Sequence, residues 1–375
     1  MHIVFLMSNN SYCPYFRWFA AKSAKNPDVK MTFILLNDTR PIMLDEMKEY
    51  GCDCYWIKFN NGNRMFSMLK SVPELMRLFI KIKPTIIHSH LFDDSLPALF
   101  AARLVGIKYR FITKQDTFFH WNYFRNKVKY DRFNNYNATQ IIAVSEETKE
   151  FIIEKEKAPP GKVNLIHHGI CPDDISLITE AQKQAMRKQF GLENKTVITT
   201  VARYIEWKGY KLIIGAAKSI VRKFPNCKFV FVGAGDQKEE LLDLISKEGL
   251  SEYICMTDFI PEKDVTVLYT VSDIYLHAAL NEPFGFVIAE AMMYGVPVIS
   301  TNTGAARDAI KHKGNGFLIY DRTPKKITQA IMEVLEMNDY KSMGEKGEKT
   351  AREMYHFDVM WGNYIALYKR VLKFS

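Results

Sequence analysis

The 375-residue chain has no apolar run near the roughly 18 residues that a membrane-spanning helix requires, so no spanning segment is expected. Its six cysteines (Cys13, Cys52, Cys54, Cys171, Cys227 and Cys255) are scattered. Cys52 and Cys54 form a C-x-C, but no second Cys or His pair stands near to complete a zinc site, and no disulfide framework is implied. The first residues, Met-His-Ile-Val-Phe-Leu-Met-Ser, carry neither a basic leader nor a small-residue cleavage site, and a cytoplasmic location is the expectation. Short-period repeats and low-complexity segments are missing too.

An acidic excess is also absent. Lys and Arg number 51 against 42 Asp and Glu, a formal charge of +9. The surplus is uneven: residues 1–170 hold 24 basic against 16 acidic side chains, +8, and the remainder holds 27 against 26, +1. A basic first half calls for an anionic partner. No nucleic-acid module accompanies it, so a membrane surface or a phosphorylated, lipid-linked acceptor fits better than nucleic acid. The alternative is a solvated basic surface with no partner.

What is present is an alternation of short apolar runs with amphipathic segments, the pattern of an α/β protein with parallel sheets. In the first half, strands are expected at residues 2–8, 30–36, 51–57, 85–88, 109–113, 140–144 and 163–166. Helices are expected at 15–23, 65–82 and 95–105. Residues 172–193 read as a linker and connecting helix. A second α/β half follows, with strands at 196–201, 228–232, 253–256, 274–277 and 298–300. Runs this apolar are buried on both sheet faces. The last helix, 357–372, places Trp361, Tyr364, Tyr368 and Val371 at helical spacing, a stripe that reads as core packing. At this length two domains are expected: residues 1–175, residues 176–356, and a C-terminal helix, 357–375, crossing back to the first.

The most informative stretch is Glu282-Pro-Phe-Gly-Phe-Val-Ile-Ala-Glu290, closed by Gly295 and Pro297 before the β-branched run Val298-Ile-Ser300. Two carboxylates stand eight residues apart, one before and one within a short helix. The Pro-Phe-Gly turn leaves backbone N–H groups free at the helix start, a good seat for a phosphate or a sugar hydroxyl. A second element, Arg203-Tyr-Ile-Glu-Trp-Lys208-Gly209, follows the strand at 196–201. Together they resemble the E-x(7)-E and R-x(4)-K-G signatures of retaining glycosyltransferases of the GT-B fold, most like family 4. The resemblance implies two doubly wound, Rossmann-like domains facing a central cleft, with ligands at the carboxyl ends of the strands.

By that resemblance Arg203 and Lys208 stabilise the charge that grows on a departing nucleoside diphosphate and stand in for a metal, so no metal ion or cofactor is expected. Glu290 holds the ribose hydroxyls, and Glu282 contacts the donor sugar. The N–H groups of Phe284 and Gly285 bind sugar or phosphate, and Phe259 and Ile260 lie where the base is gripped. Asn302-Thr303-Gly304 and Gly314-Asn-Gly-Phe-Leu318 match further family positions, with Ala305 and Asp308 where a second Gly and a Glu are usual. In the first half Ile86-Ile-His88-Ser-His90, Ala143-Val-Ser-Glu146 and Ile166-His-His-Gly-Ile170 match more loosely. His88 reads as structural and His90 as a cleft candidate.

Two departures stand out. Asn9-Asn10-Ser11 replaces the Gly-Gly that usually admits the donor phosphates, leaving Asn10 as a side-chain substitute. Gln115 stands where many relatives carry a histidine, and Gln115, Asp116 or His120 are the candidates for that work, Asp116 as an acceptor-positioning group. Between them and residue 136, aromatics alternate with Arg125, Lys127, Lys129 and Arg132. In one continuous helix Arg125, Lys129 and Arg132 would share a face suited to an anionic membrane, or else a solvated one.

The expected function is thus a metal-independent, retaining hexosyl transfer from a UDP- or GDP-sugar to a glycan or lipid-linked acceptor. It would belong to bacterial surface polysaccharide or lipopolysaccharide synthesis and act at the inner face of the cell membrane. The alternatives are a nucleotide-sugar epimerase of the same fold, or a degenerate subunit that only binds nucleotide or glycan.

Overall fold

The computed structural model describes residues 1–8, 13–115, 118–172 and 177–373. The chain divides into two compact units, Met1–His167 with Met360–Ser375, and His168–Val359.

The first unit is built on a parallel sheet of seven strands among the described residues. These are β1 (His2–Ser8), β2 (Lys30–Asn37), β3 (Asp53–Lys58), β4 (Ile86–Ser89), β5 (Tyr109–Lys114), β6 (Gln140–Ala143) and β7 (Val163–Leu165), in the order β3-β2-β1-β4-β5-β6-β7. The central strand is buried from Ile3 to Ser8 because its side chains meet a layer on both faces. On one face Val4 and Leu6 join Met68, Leu75 and Phe79 of the helix Arg64–Ile82 and Ala98 of the helix Phe92–Leu104. On the other, the Phe5 ring lies 5.6 Å from Phe16 and 4.9 Å from Phe19, both on the helix Pro14–Ala24. The last helix, Phe357–Lys373, returns to this unit. Its Tyr364 hydroxyl sits 3.1 Å from that of Tyr15 and 2.9 Å from Thr113 Oγ1, and the Trp361 ring packs 5.6 Å from Phe19. The aromatic stripe is core.

The second unit carries six strands among the described residues: β8 (Thr196–Val201), β9 (Cys227–Val232), β10 (Ile254–Thr257), β11 (Ile274–His277), β12 (Val298–Thr301) and β13 (Phe317–Ile319). All pair in parallel, in the order β10-β9-β8-β11-β12-β13. In each sheet the chain winds outward from one strand and then crosses to its other side, at β1/β4 and at β8/β11. At such a switch point the following loops diverge and open a crevice at the strands' carboxyl ends.

Two local expectations need correction. The helix expected from residue 95 begins at Phe92, because the Asp94 carboxylate accepts from the His90 N–H at 2.8 Å and the Leu91 N–H at 3.1 Å and so satisfies the start of an earlier turn. Residues 118–136 do not form one helix: Phe118–Tyr123 is helical, Phe124 leaves helical geometry at φ −143°, and a new helix runs Val128–Asn137. The single helix expected to carry Arg125, Lys129 and Arg132 is therefore not formed, although all three are exposed. The break follows from side-chain pairing: Asp131 turns inward to His120, 2.8 Å, and Lys114, 3.2 Å, while the Arg125 guanidinium lies 4.8 Å from the Trp121 ring centre.

Candidate functional site

The loops after β8 and β11 meet at the switch point of the second sheet. After β8 the chain passes Arg203 and makes a turn, Glu206–Lys208, ended by Gly209 at φ +74°. A Cβ on Gly209 would lie 2.0 Å from the Ala278 carbonyl oxygen, so only glycine lets this turn seat against the end of β11. The Leu280 N–H then donates to the Trp207 carbonyl at 2.7 Å. This docking puts the Lys208 ammonium on the Glu282 carboxylate, with side chains 12% and 11% exposed.

A second donor reaches the same oxygen. His277, the last residue of β11, places Nε2 3.2 Å from Glu282 Oε2. Burial pushes the Glu282 carboxyl up, but the His277 hydrogen bond and the Lys208 charge outweigh it and hold the group down at about 2. His277 is fully enclosed, and burial lowers its pKa against the opposing pull of Glu282. A neutral ring beside a carboxylate carries its proton on Nε2, since the carboxylate can only accept. The Tyr275 hydroxyl lies 3.4 Å from His277 Nδ1 and 3.3 Å from the Val201 carbonyl.

Glu290 lies on the helix Phe286–Met293, which starts from Gly285 at φ +87°. Its Oε2 accepts from the Tyr269 hydroxyl at 3.2 Å, and Tyr269 is buried. The Pro-Phe-Gly turn is braced from behind. Gly304 approaches so closely that a Cβ would stand 2.3 Å from the Phe284 carbonyl oxygen, and the Ala305 N–H donates to that oxygen at 2.7 Å. The Phe284 ring is buried edge-on to His168, 5.2 Å away, and His168 stacks on Phe286 at 4.7 Å. Phe259, at 78% exposed, and the half-buried Ile260 occupy the loop between β10 and the helix Glu262–Val271. Arg203 is exposed, its guanidinium 5.9 Å from the Trp207 ring centre.

Structure thus brings Lys208 and Glu282 into contact and sets Arg203 and Glu290 on neighbouring elements. Sequence reading missed His277 and Tyr269. A lone histidine ending an apolar strand reads as core, and only its place at the carboxyl end of β11, five residues before Glu282, could have marked it.

In the first unit His90 follows β4 at the other switch point. It is buried, its Nδ1 donates to the Leu6 carbonyl at 3.0 Å, and its ring stacks on His88 at 4.5 Å. His88 is held between the Tyr368 hydroxyl, 2.5 Å, and Thr113 Oγ1, 2.8 Å, a structural role. Half-buried Gln115 follows β5. His120 is turned inward, paired with Asp131 and edge-on to Phe92 at 4.4 Å. Asn10 and Asp116 lie outside the described residues. Among the described residues no group of three His, Cys, Asp or Glu side chains is arranged to hold a metal ion, and no helix is long and apolar enough to cross a membrane.

Residues 182–350 match the family model of glycosyl transferases group 1, and residues 38–174 match that of glycosyltransferase family 4. The chain is 30% identical over 240 residues to an uncharacterized glycosyltransferase of Methanocaldococcus jannaschii, a match covering 63% of this chain and 61% of that protein's length. It is 26% identical over 351 residues to the capsular polysaccharide biosynthesis glycosyltransferase CapM of Staphylococcus aureus, covering 88% of each. Among solved structures, Anabaena HepE in complex with UDP-glucose superposes with a TM-score of 0.81 at 18% identity, covering 99% of this chain and 100% of that one. At that identity the likeness speaks to the fold alone. With both halves matched by models of one family and both units Rossmann-like, the chain belongs to glycosyltransferase family 4, the group 1 glycosyl transferases of the GT-B fold.

Proposed function

We propose that the chain transfers a hexose, with retention of configuration, from a nucleoside-diphosphate sugar to a glycan or lipid-linked acceptor in bacterial surface polysaccharide synthesis. The observation that carries this reading is the Lys208–Glu282 pair at the carboxyl ends of β8 and β11, with Arg203 and Glu290 on adjoining elements. As the glycosidic bond breaks, charge accumulates on the diphosphate. Arg203 and Lys208 stabilise that charge more in the transition state than in the ground state, which lowers the barrier without a divalent ion. Glu282 takes a sugar hydroxyl, Glu290 the ribose, and the N–H groups of Phe284 and Gly285 the sugar or phosphate. The second unit is the donor side, and the first takes the acceptor through His90, Gln115, Asp116 or His120. No cofactor takes part. CapM, named for capsular polysaccharide biosynthesis, and HepE, crystallised with UDP-glucose, support the pathway class and the donor class.

The first unit's surface supports peripheral contact with an anionic membrane at the cytoplasmic face. Tyr123, Phe124, Phe133 and Tyr136 are exposed beside Arg125, Lys127, Lys129 and Arg132. Rings at the headgroup boundary and cations on anionic lipid suit that surface. Sedimentation with phosphatidylglycerol vesicles tests it: binding that salt weakens and that Arg125→Ala/Lys129→Ala/Arg132→Ala reduces is expected, and equal sedimentation of both proteins opposes it.

The donor site is tested by thermal stabilisation with UDP, GDP and ADP at matched concentrations, on wild type and on Glu290→Ala. A ligand at a hundred times its dissociation constant adds about 2.7 kcal/mol. One nucleotide should stabilise wild type and not the variant. Stabilisation by none, or equal stabilisation of both proteins, overturns the assignment. Product analysis separates transfer from epimerisation, whose products are isomers of the donor.

A further inference from the structure

We propose that His277 is a positioning residue for the transfer reaction, acting through Glu282 on both the donor sugar and Lys208. The proposal rests on the donor-site reading above and adds a residue to it.

The geometry is specific. Glu282 receives two donors, the Lys208 ammonium and His277 Nε2, and both arrive at Oε2. Among the described residues no hydrogen bond reaches Oε1. A carboxylate facing a single ammonium is free to rotate and present both oxygens to it. With His277 fixing one oxygen, the plane of the carboxylate is set. Oε1 is left for a sugar hydroxyl, and Lys208 keeps donors for the leaving diphosphate, since an ammonium has three.

His277 is itself well fixed. It ends β11, its backbone pairs with Ser300 of β12, and its ring lies nearly parallel to that of Tyr275, 21° between planes at 6.2 Å. The neutral ring can give Glu282 one proton, at Nε2, while Nδ1 faces the Tyr275 hydroxyl. Such support for a reacting group matters because small displacements of a charged partner cost large factors in rate.

A structural histidine would do none of this. It would be replaceable by any side chain of its volume, and its loss would change stability without selecting a kinetic step. A positioning histidine needs its Nε2–H, which Gln reproduces and Leu does not.

The test measures kcat, KM for the sugar nucleotide and Tm on wild type, His277→Leu, His277→Gln, Glu282→Gln and the His277→Leu/Glu282→Gln double variant. His277→Leu should lower kcat tenfold or more with KM changed less than threefold, His277→Gln should recover to within about threefold of wild type, and the double variant should be no slower than Glu282→Gln alone. Equal losses in His277→Leu and His277→Gln, or losses that multiply in the double variant, overturn the proposal. The Tm values are read independently of turnover. If wild type neither transfers sugar nor is stabilised by a nucleotide, the donor-site reading has failed. The His277–Glu282 link is then decided by Tm alone: less-than-additive losses uphold it and fully additive losses refute it.

Discussion

Lys208 and Glu282, 74 residues apart in sequence, form an ion pair whose carboxylate oxygen is shared with the buried ring of His277. On the proposed donor-site reading, that pair holds the ammonium which stabilises the departing diphosphate, and His277 fixes the carboxylate it rests on.

Its first consequence is kinetic. Lys208→Ala and Arg203→Ala should each lower kcat a hundredfold or more if both cations stabilise the leaving group. The two should part in stability. Lys208→Ala leaves a nearly buried carboxylate with His277 but without its cation, which costs about 3 kcal/mol, whereas exposed Arg203 pairs with no carboxylate among the described residues. Steady-state kinetics alongside thermal melts check this, and an unchanged kcat in either variant removes that cation from the mechanism.

The second is acid sensitivity. Glu282 is held at about 2 in the folded chain, below the ordinary 4.5. Its contribution to stability is therefore complete above about pH 4.5 and is lost as pH falls toward 2. His277, lowered from 6.5 by burial, works in the same direction, because the unfolded chain gains a proton below pH 6.5 that the folded ring resists. Melts between pH 7 and pH 3 should fall more steeply for wild type than for Glu282→Gln. Parallel curves would show that the carboxylate is not held as described.

Much of this was legible in the sequence, for identifiable reasons. The strands were readable because β1, β4, β8 and β11 are buried along nearly all of their length and so are written as short runs rich in apolar and β-branched residues. Glu282, Glu290, Arg203 and Lys208 were readable because turn chemistry fixes their spacing within one loop and one helix. What was not readable depends on partners far along the chain. The break at Phe124 is set by His120, Asp131 and Lys114 pairing inside the unit. The support of Glu290 by Tyr269 joins residues 21 apart on different helices. No local pattern announces either.

That support gives a third expectation. Tyr269→Phe removes one hydrogen bond to a carboxylate while leaving the ring to pack 5.6 Å from Tyr294. Hydrogen bonds to charged groups contribute about 1.5–3 kcal/mol. The variant should melt lower by that loss, and if Glu290 holds the ribose, nucleotide affinity should also drop about tenfold by titration calorimetry. Unaltered affinity would mean that Glu290 needs no such anchor.

Gly304 gives a fourth. A methyl group there meets the carbonyl oxygens of Phe284 and Glu282 at 2.3 and 2.7 Å, so Gly304→Ala must displace the turn that carries both residues. Gly362→Ala offers a control, since a Cβ there meets nothing within 4 Å. Donor turnover should fall at least tenfold in the first and stay within about twofold in the second. Similar activities in the two would detach the Gly304 contact from the site.

The fifth concerns the other unit. Lys114 ends β5 and lies between two carboxylates, 3.2 Å from Asp131 and 3.1 Å from Glu156, with all three side chains at most 10% exposed. Its charge opposes the upward push of burial on Asp131 strongly enough to lower that group, whereas Glu156 stays raised by burial even so. Lys114→Met leaves both carboxylates without their shared cation, and removing one partner of a buried ionic cluster costs about 3–5 kcal/mol. His120 on Asp131 and the Asn135 amide on Glu156, at 2.8 and 2.7 Å, temper that loss and favour the lower end. Because the cluster belongs to the first unit and Arg203, Lys208, Glu282 and Glu290 to the second, the variant should melt lower yet keep the nucleotide-induced rise in Tm. A variant that loses that rise while remaining folded would place part of the nucleotide site in the first unit and overturn the division of labour proposed above.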